Sequence, residues 1–271
     1  MPRLVWCAFA ALLLLCSCTS SQASEPRRTA RPKTEPARPH VPVVFMLGDS
    51  YTAGITSVPP EQTYAGETAR RLGWQVVIAG YAGTGFVSRG RIGKDFAALY
   101  EAQLAWRPAP DMVVVSGGHN DVYYPYRVGP AANRLLTTIK SRWPKTHVVL
   151  VGPLWGGDPP PQALRVRDTL RGTAATLQVP FIDPLAERWI TGNIHRRTGN
   201  ARRFILRDGT HPTAAGNRHI AERLVAGLRA RGLERPALGK PARRPAQQTP
   251  GAGRTANAED RDDLKELQRR P

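Results

Sequence analysis

Five short apolar runs constrain what this chain can fold into more than any other feature of its sequence. Residues 43–47, 74–79, 112–115, 147–151 and 180–182 are rich in Val and Ile and are bounded by Gly, Pro or Asp. Each is short for a helix and reads as a buried strand. Helical patterns fill the gaps. Val128, Ala132, Leu135, Leu136, Ile139 and Trp143 recur at helical spacing until Pro144 stops them. After Pro212, which suits a first-turn position, Ile220, Leu224, Val225 and Leu228 share one helical face. Strands that are apolar throughout, alternating with helices, imply a parallel sheet covered on both sides. With right-handed crossovers this gives a doubly wound, flavodoxin-like, three-layer α/β/α sandwich on a five-stranded parallel sheet. Such sheets carry their sites at the C-terminal ends of the strands, which says where to look for chemistry.

The reactive-looking clusters fall at those boundaries. Gly48-Asp49-Ser50 follows the first run, and Gly80-Tyr81-Ala82-Gly83-Thr84-Gly85 the second. Gly117-Gly118-His119-Asn120-Asp121 follows the third, and Asp208-Gly209-Thr210-His211-Pro212 precedes the last helix. Singly, each has an ordinary explanation. Gly-Asp-Ser makes a good turn and helix cap. The glycine loop lacks the Lys-Ser/Thr of a P-loop and does not fit G-x-G-x-x-G, so nucleotide binding is weakly supported. Asp208 and His211 make a poor metal site without a third ligand nearby.

Together, in order and spacing, the four clusters resemble the blocks of the SGNH/GDSL hydrolase superfamily over about residues 43–230. The resemblance implies a serine esterase that needs neither cofactor nor metal. Ser50 is then the nucleophile, His211 its base and Asp208 the group that orients the base. The oxyanion donors carried over from the family are the backbone N–H of Ser50, the backbone N–H of Gly83 and the side-chain amide of Asn120. Gly85, two residues on, is the alternative to Gly83. The chemistry is consistent with the transfer: a neutral serine hydroxyl needs a positioned base to attack an ester carbonyl. Asp208, three residues before His211, is close enough to fix the imidazole tautomer. Asp49 reads as a loop-holding residue rather than an acid. His119 is either at the cleft edge or on an exposed loop, and His147 and His195 read as structural or exposed. Tyr123, Tyr124 and Trp155 either line a pocket or pack.

The ends read differently from the middle. Residues 1–18 begin with one cation, Arg3, and an apolar run too short to span a bilayer easily, as in a secretory signal. Leu15-Cys16-Ser17-Cys18 resembles a bacterial lipobox, with Cys18 the expected acylated residue; Leu15 is too bulky to precede the modified cysteine at Cys16. The expected address is therefore a membrane lipoprotein facing outward, or otherwise a secreted protein. All 3 cysteines lie in this segment, so the remainder can form no disulfide and offers no thiol nucleophile. Residues 19–41 are polar and Pro-rich and read as a disordered tether. The expected hydrolase domain is 42–232, followed by a disordered basic tail over 233–271.

The net charge is +18, spread over tether, domain and tail. Without a zinc-finger, RRM-like or helix-turn-helix signature it does not indicate nucleic acid. The expected partner is an acyl-ester substrate on a glycan, wall polymer or lipid, with the membrane reached through the N-terminal lipid. Residues 184–207 carry Arg188, Arg196, Arg197, Arg202, Arg203 and Arg207 just before Asp208, and such a lip suits an anionic or polar substrate. The rival reading is a non-catalytic envelope-binding lipoprotein on a hydrolase fold. Ser50, Asn120 and His211 are all present, which weighs against it. Oligomeric state is not legible.

Overall fold

The structure is a computed structural model that describes residues 40–242. Cys18, the signal-like segment, nearly all of the tether and most of the basic tail lie outside the described residues.

The five apolar runs form β1 (Val43–Gly48), β2 (Gln75–Gly80), β3 (Met112–Ser116), β4 (His147–Val151) and β5 (Phe181–Ile182). They make one sheet, every pairing parallel, in the order β2-β1-β3-β4-β5. Alternate residues serve opposite layers, as the period of two along a strand requires. Val44, Met46, Met112, Val114, Val149 and Val151 face one core with Ile220, Leu224 and Leu228. Phe45, Leu47, Val113, Val115, Val148 and Leu150 face the other with Leu135, Leu136, Ile139 and Leu170. Burial on both faces explains why the runs of β1 and β3 are apolar along their length, whereas the edge strand β2 is only partly covered and begins with the exposed Gln75. The expected α/β/α sandwich is the fold observed.

The first core is covered by α1 (Ser50–Ala53), α2 (Tyr64–Leu72) and α7 (Ala214–Arg229), the second by α3 (Phe96–Gln103), α4 (Pro125–Arg142) and α5 (Pro161–Thr176). A four-residue helix, α6 (Ala201–Phe204), lies between β5 and α7. α4 ends where the Pro144 stop was expected, and its buried positions are Val128, Ala132, Leu135, Leu136 and Ile139.

Two expectations need correction. α7 does not begin at Pro212: Thr213 caps it, with Thr213 Oγ1 accepting from Gly216 N at 3.0 Å. Pro212 instead pairs with Ile205 in an isolated antiparallel bridge. Residues 233–239, read as the start of a disordered tail, pack on the domain. Leu233 is buried, Trp74 Nε1 donates to Glu234 O, and Leu238 N donates to Asp111 Oδ1. Gly239 N donates to Lys145 O at 2.9 Å.

The sheet order places a switch point between β1 and β3, whose last residues, Gly48 and Ser116, are paired. The chain leaves β1 toward one side and returns to β3 on the other, so a crevice opens where both strands end. Gly48 is confined there: a Cβ on it would run into Thr52 Oγ1 and the Ser116 carbonyl.

Candidate active site

Ser50 is the first residue of α1, directly beyond the C-terminal end of β1. The Asp49 side chain caps α1, accepting from Tyr51 N at 3.0 Å. Asp49 therefore holds the turn, as its position suggested. Burial pushes its carboxyl up to about 7, against the Tyr51 N–H, which favours the charged form, and with help from the nearby Asp121 charge.

Asp208 and His211 reach Ser50 from the loop before α7. Asp208 Oδ1 accepts from Thr210 N and His211 N, both at 2.9 Å, which folds the turn around the carboxylate. Asp208 Oδ2 lies 2.6 Å from His211 Nδ1, and His211 Nε2 lies 2.9 Å from Ser50 Oγ. A carboxylate can only accept, so Nδ1 carries a proton, and the Nε2 of the neutral ring faces the serine hydroxyl with its lone pair. Burial tends to raise the Asp208 carboxyl, but the Thr210 and His211 amides and the imidazole outweigh it and hold the group below the usual carboxylate range. The turn is positioned in part by a short hairpin: Leu206 N donates to His211 O at 2.8 Å, and Thr213 N to Phe204 O at 2.8 Å.

A further bond ties the two halves together. Tyr51, 2% exposed, donates its phenol proton to Thr210 O at 2.5 Å. Burial, followed by the Asp49 and Asp208 charges, pushes the phenol well above its ordinary value, so it remains a donor.

The other two clusters form a second wall. Asn120, on a short 3-10 turn after β3, donates one amide hydrogen to Thr84 O at 2.9 Å, leaving the other for a ligand. Asp121 beside it is fully buried, and its carboxylate accepts from Phe86 N, Val87 N and Ser88 N at 3.0, 2.9 and 2.8 Å. Burial raises the Asp121 carboxyl even though these three N–H groups favour its charged form. The two candidate glycines differ in their hydrogen bonds. Gly85 N is spent on Ser88 O at 2.8 Å, and a Cβ on Gly85 would run into the Asp121 carboxylate. Among the described residues, Gly83 N–H donates to no acceptor, while its carbonyl takes the Ser88 hydroxyl.

His119 edges the site rather than an exposed loop. Its ring lies against Trp155, with centroids 4.3 Å apart, and 5.6 Å from the Tyr51 ring, which is itself 6.0 Å from the His211 ring. His119 Nδ1 donates to Leu154 O at 3.1 Å, and burial lowers its basicity, so the ring is neutral. Trp155 thus belongs to the rim of the site. Tyr123 and Tyr124 are exposed, His147 begins β4, and His195 is exposed in the basic segment. Two structural roles escaped the sequence reading: the Tyr51 tie and the Asp121 anchor. Asp121 was visible as the last letter of its cluster; nothing local marked Tyr51.

The sequence pattern of the GDSL-like lipase/acylhydrolase family matches residues 46–219, which contain all four clusters. A GDSL lipase of Mycobacterium tuberculosis is 27% identical over 197 residues, covering 67% of this chain and 79% of that protein. In fold, the chain resembles a carbohydrate acetylesterase, Est24, from Sinorhizobium meliloti (TM-score 0.52, 19% identity, 68% of this chain and 99% of that one). It also resembles the aryl esterase of M. smegmatis (TM-score 0.52, 20% identity, 70% and 99%).

Proposed function

Since the chain belongs to the GDSL-like lipase/acylhydrolase family and is a carboxylic ester hydrolase, we propose that it works through an acyl-serine intermediate on Ser50. The observation that carries this reading is the continuous hydrogen-bonded line Asp208–His211–Ser50, at 2.6 and 2.9 Å. Ser50 Oγ attacks the ester carbonyl as His211 Nε2 takes its proton; His211 then returns that proton to the departing alcohol. Water, deprotonated by the same nitrogen, attacks the acyl-serine, and the carboxylic acid leaves as Ser50 is reprotonated. Asp208, held in its charged form, fixes the tautomer and stabilises the imidazolium that forms at each step.

The oxyanion of each tetrahedral intermediate is assigned to Ser50 N–H, Gly83 N–H and the free amide hydrogen of Asn120. The uncommitted Gly83 amide and the anchored Asn120 side chain support this assignment. Donors fixed before the reaction need no reorganisation as charge develops, which is the source of their effect.

For substrate we propose short acyl esters, acetyl among them, on a polar carrier such as a glycan or wall polymer. Support comes from the basic segment 184–207 beside the Asp208 turn and from the carbohydrate acetylesterase that shares the fold. A p-nitrophenyl ester series from acetyl to palmitoyl, run on wild type and Ser50→Ala, tests the reading. Serine-dependent hydrolysis greatest at acetyl is expected. A long-chain optimum would move the proposal to lipids, and no serine-dependent hydrolysis at any length would overturn it.

We further propose that the enzyme works outside the cytoplasm, tethered by lipid on Cys18. This rests on the short apolar run and the lipobox-like Leu15-Cys16-Ser17-Cys18. Intact mass of the membrane-extracted protein should show acylated Cys18 at the N-terminus; a mature form beginning after Cys18 contradicts it.

A further inference from the structure

Between β5 and α7 the chain builds a cleft of about 980 Å³ lined by Ile194, His195, Arg197, Arg202, Arg203 and Arg207. One wall is a tight turn closed by the Asn193–Thr198 bridge. Asn193 Oδ1 accepts from His195 N at 2.9 Å and Arg196 N at 3.1 Å, and Arg197 takes a left-handed conformation at φ 53°. The other wall is α6 and the strand-like segment leading to Asp208. The two walls meet at the Asp208–His211 turn: a Cβ on Gly209 would lie 2.9 Å from His195 Nε2. The cleft therefore abuts the loop that carries two of the three reacting side chains.

Its charge is not paired: among the described residues, none of Arg197, Arg202, Arg203 and Arg207 forms an ion pair. The acidic residues at either end of the segment are engaged elsewhere: Glu187 with Arg223 and the Trp189 N–H, and Asp208 with His211. Four unneutralised guanidinium groups around one concavity repel one another in the folded state. A cleft of one sign also focuses its field outward and raises the local concentration of anions. Guanidinium forks match the paired oxygens of phosphate and carboxylate.

We propose that this cleft is an anion subsite of the esterase, which binds a phosphate or carboxylate on the ester substrate and so selects charged esters over neutral ones. The proposal rests on the esterase reading above. It specifies the substrate's chemistry: an acyl ester whose carrier bears an oxyanion near the scissile bond.

The test uses matched pairs with a common acetate product. Acetate release is followed from 1-acetylglycerol 3-phosphate against 1-acetylglycerol, and from O-acetyl-lactate against O-acetyl-lactamide. The expected result is kcat/KM about tenfold higher for the charged member of at least one pair, falling as salt is raised. The pair that responds distinguishes phosphate from carboxylate. In Arg197→Gln/Arg202→Gln/Arg203→Gln/Arg207→Gln protein the charged-to-neutral ratio should collapse to about one. Equal rates within both pairs, or a ratio that survives the four substitutions, would overturn the subsite while leaving the esterase reading intact. If no ester is hydrolysed, that reading has failed, and calorimetric titration with glycerol 3-phosphate and with lactate decides the cleft separately. Binding that is lost in the four-Gln protein supports the subsite, and no binding to wild type overturns it.

Discussion

Tyr51 and Thr210 are joined by a hydrogen bond from a buried phenol to a backbone carbonyl, across 159 positions of sequence. One residue follows Ser50 and the other precedes His211. The bond thus fixes the separation of two side chains that belong to different elements.

Tyr51→Phe removes this bond while keeping the ring. The expected stability loss is about 1 kcal/mol, the net value of an ordinary hydrogen bond. Turnover should fall more than that alone suggests, roughly tenfold, because small misplacements of reacting groups are costly. The loss belongs in kcat, with KM nearly unchanged, as steady-state kinetics on a soluble ester will show. A variant whose KM rises while kcat holds would place Tyr51 in substrate binding instead.

Asp121→Asn tests the second wall. The carboxylate accepts three backbone N–H groups, and an amide in its place turns an NH2 toward at least one of them. A loss of about 2–3 kcal/mol in urea unfolding is expected. Because the same loop carries Gly83, kcat should fall as well.

Asn120→Ala should lower kcat by about 10²–10³, the usual effect of losing one oxyanion donor. Its stability cost should be small, since one hydrogen bond, to Thr84 O, is lost from a half-buried side chain. Circular dichroism and kcat measured on the same preparation separate the two effects.

Asp49 predicts a pH signature. Burial raises its folded-state value to about 7, against an ordinary 3.8. The folded state therefore holds a proton that the unfolded chain releases, and stability contributed by the neutral acid is lost as pH rises from about 4 to about 7. Asp49→Asn cannot titrate. Its stability relative to wild type should increase over that window, by an amount on the order of 3 kcal/mol. Urea unfolding of both proteins at the two ends of the window measures the difference; a pH-independent difference contradicts the buried neutral acid.

The sheet was legible because Val113–Val115 and their neighbours are covered on both faces, leaving an uninterrupted apolar record in the sequence. Ser50, Asn120 and the Asp208–His211 pair stood out as three clusters at strand and helix ends, with the Gly80–Gly85 loop a fourth. What was hidden depends on long-range backbone contacts. The start of α7 was misplaced because Pro212, well suited to a first turn, is held outside the helix by its bridge to Ile205, and Thr213 supplies the cap. Residues 233–239 looked like tail because they dock through single hydrogen bonds to Trp74, Asp111 and Lys145, which leave no apolar period. Gly83 and Gly85 differ by one amide bonded to Ser88 O, a difference that spacing cannot reveal.

The central claim is that Ser50 becomes acylated with His211 as its base, and it is tested most directly by covalent capture. Wild-type, Ser50→Ala and His211→Ala proteins are treated with a fluorophosphonate, and the modified residue is located by intact mass and peptide mapping. A single adduct on Ser50 is expected in wild type, none in Ser50→Ala, and a greatly slowed reaction in His211→Ala. An adduct on another residue, or labelling of Ser50 at an unchanged rate without His211, would contradict it.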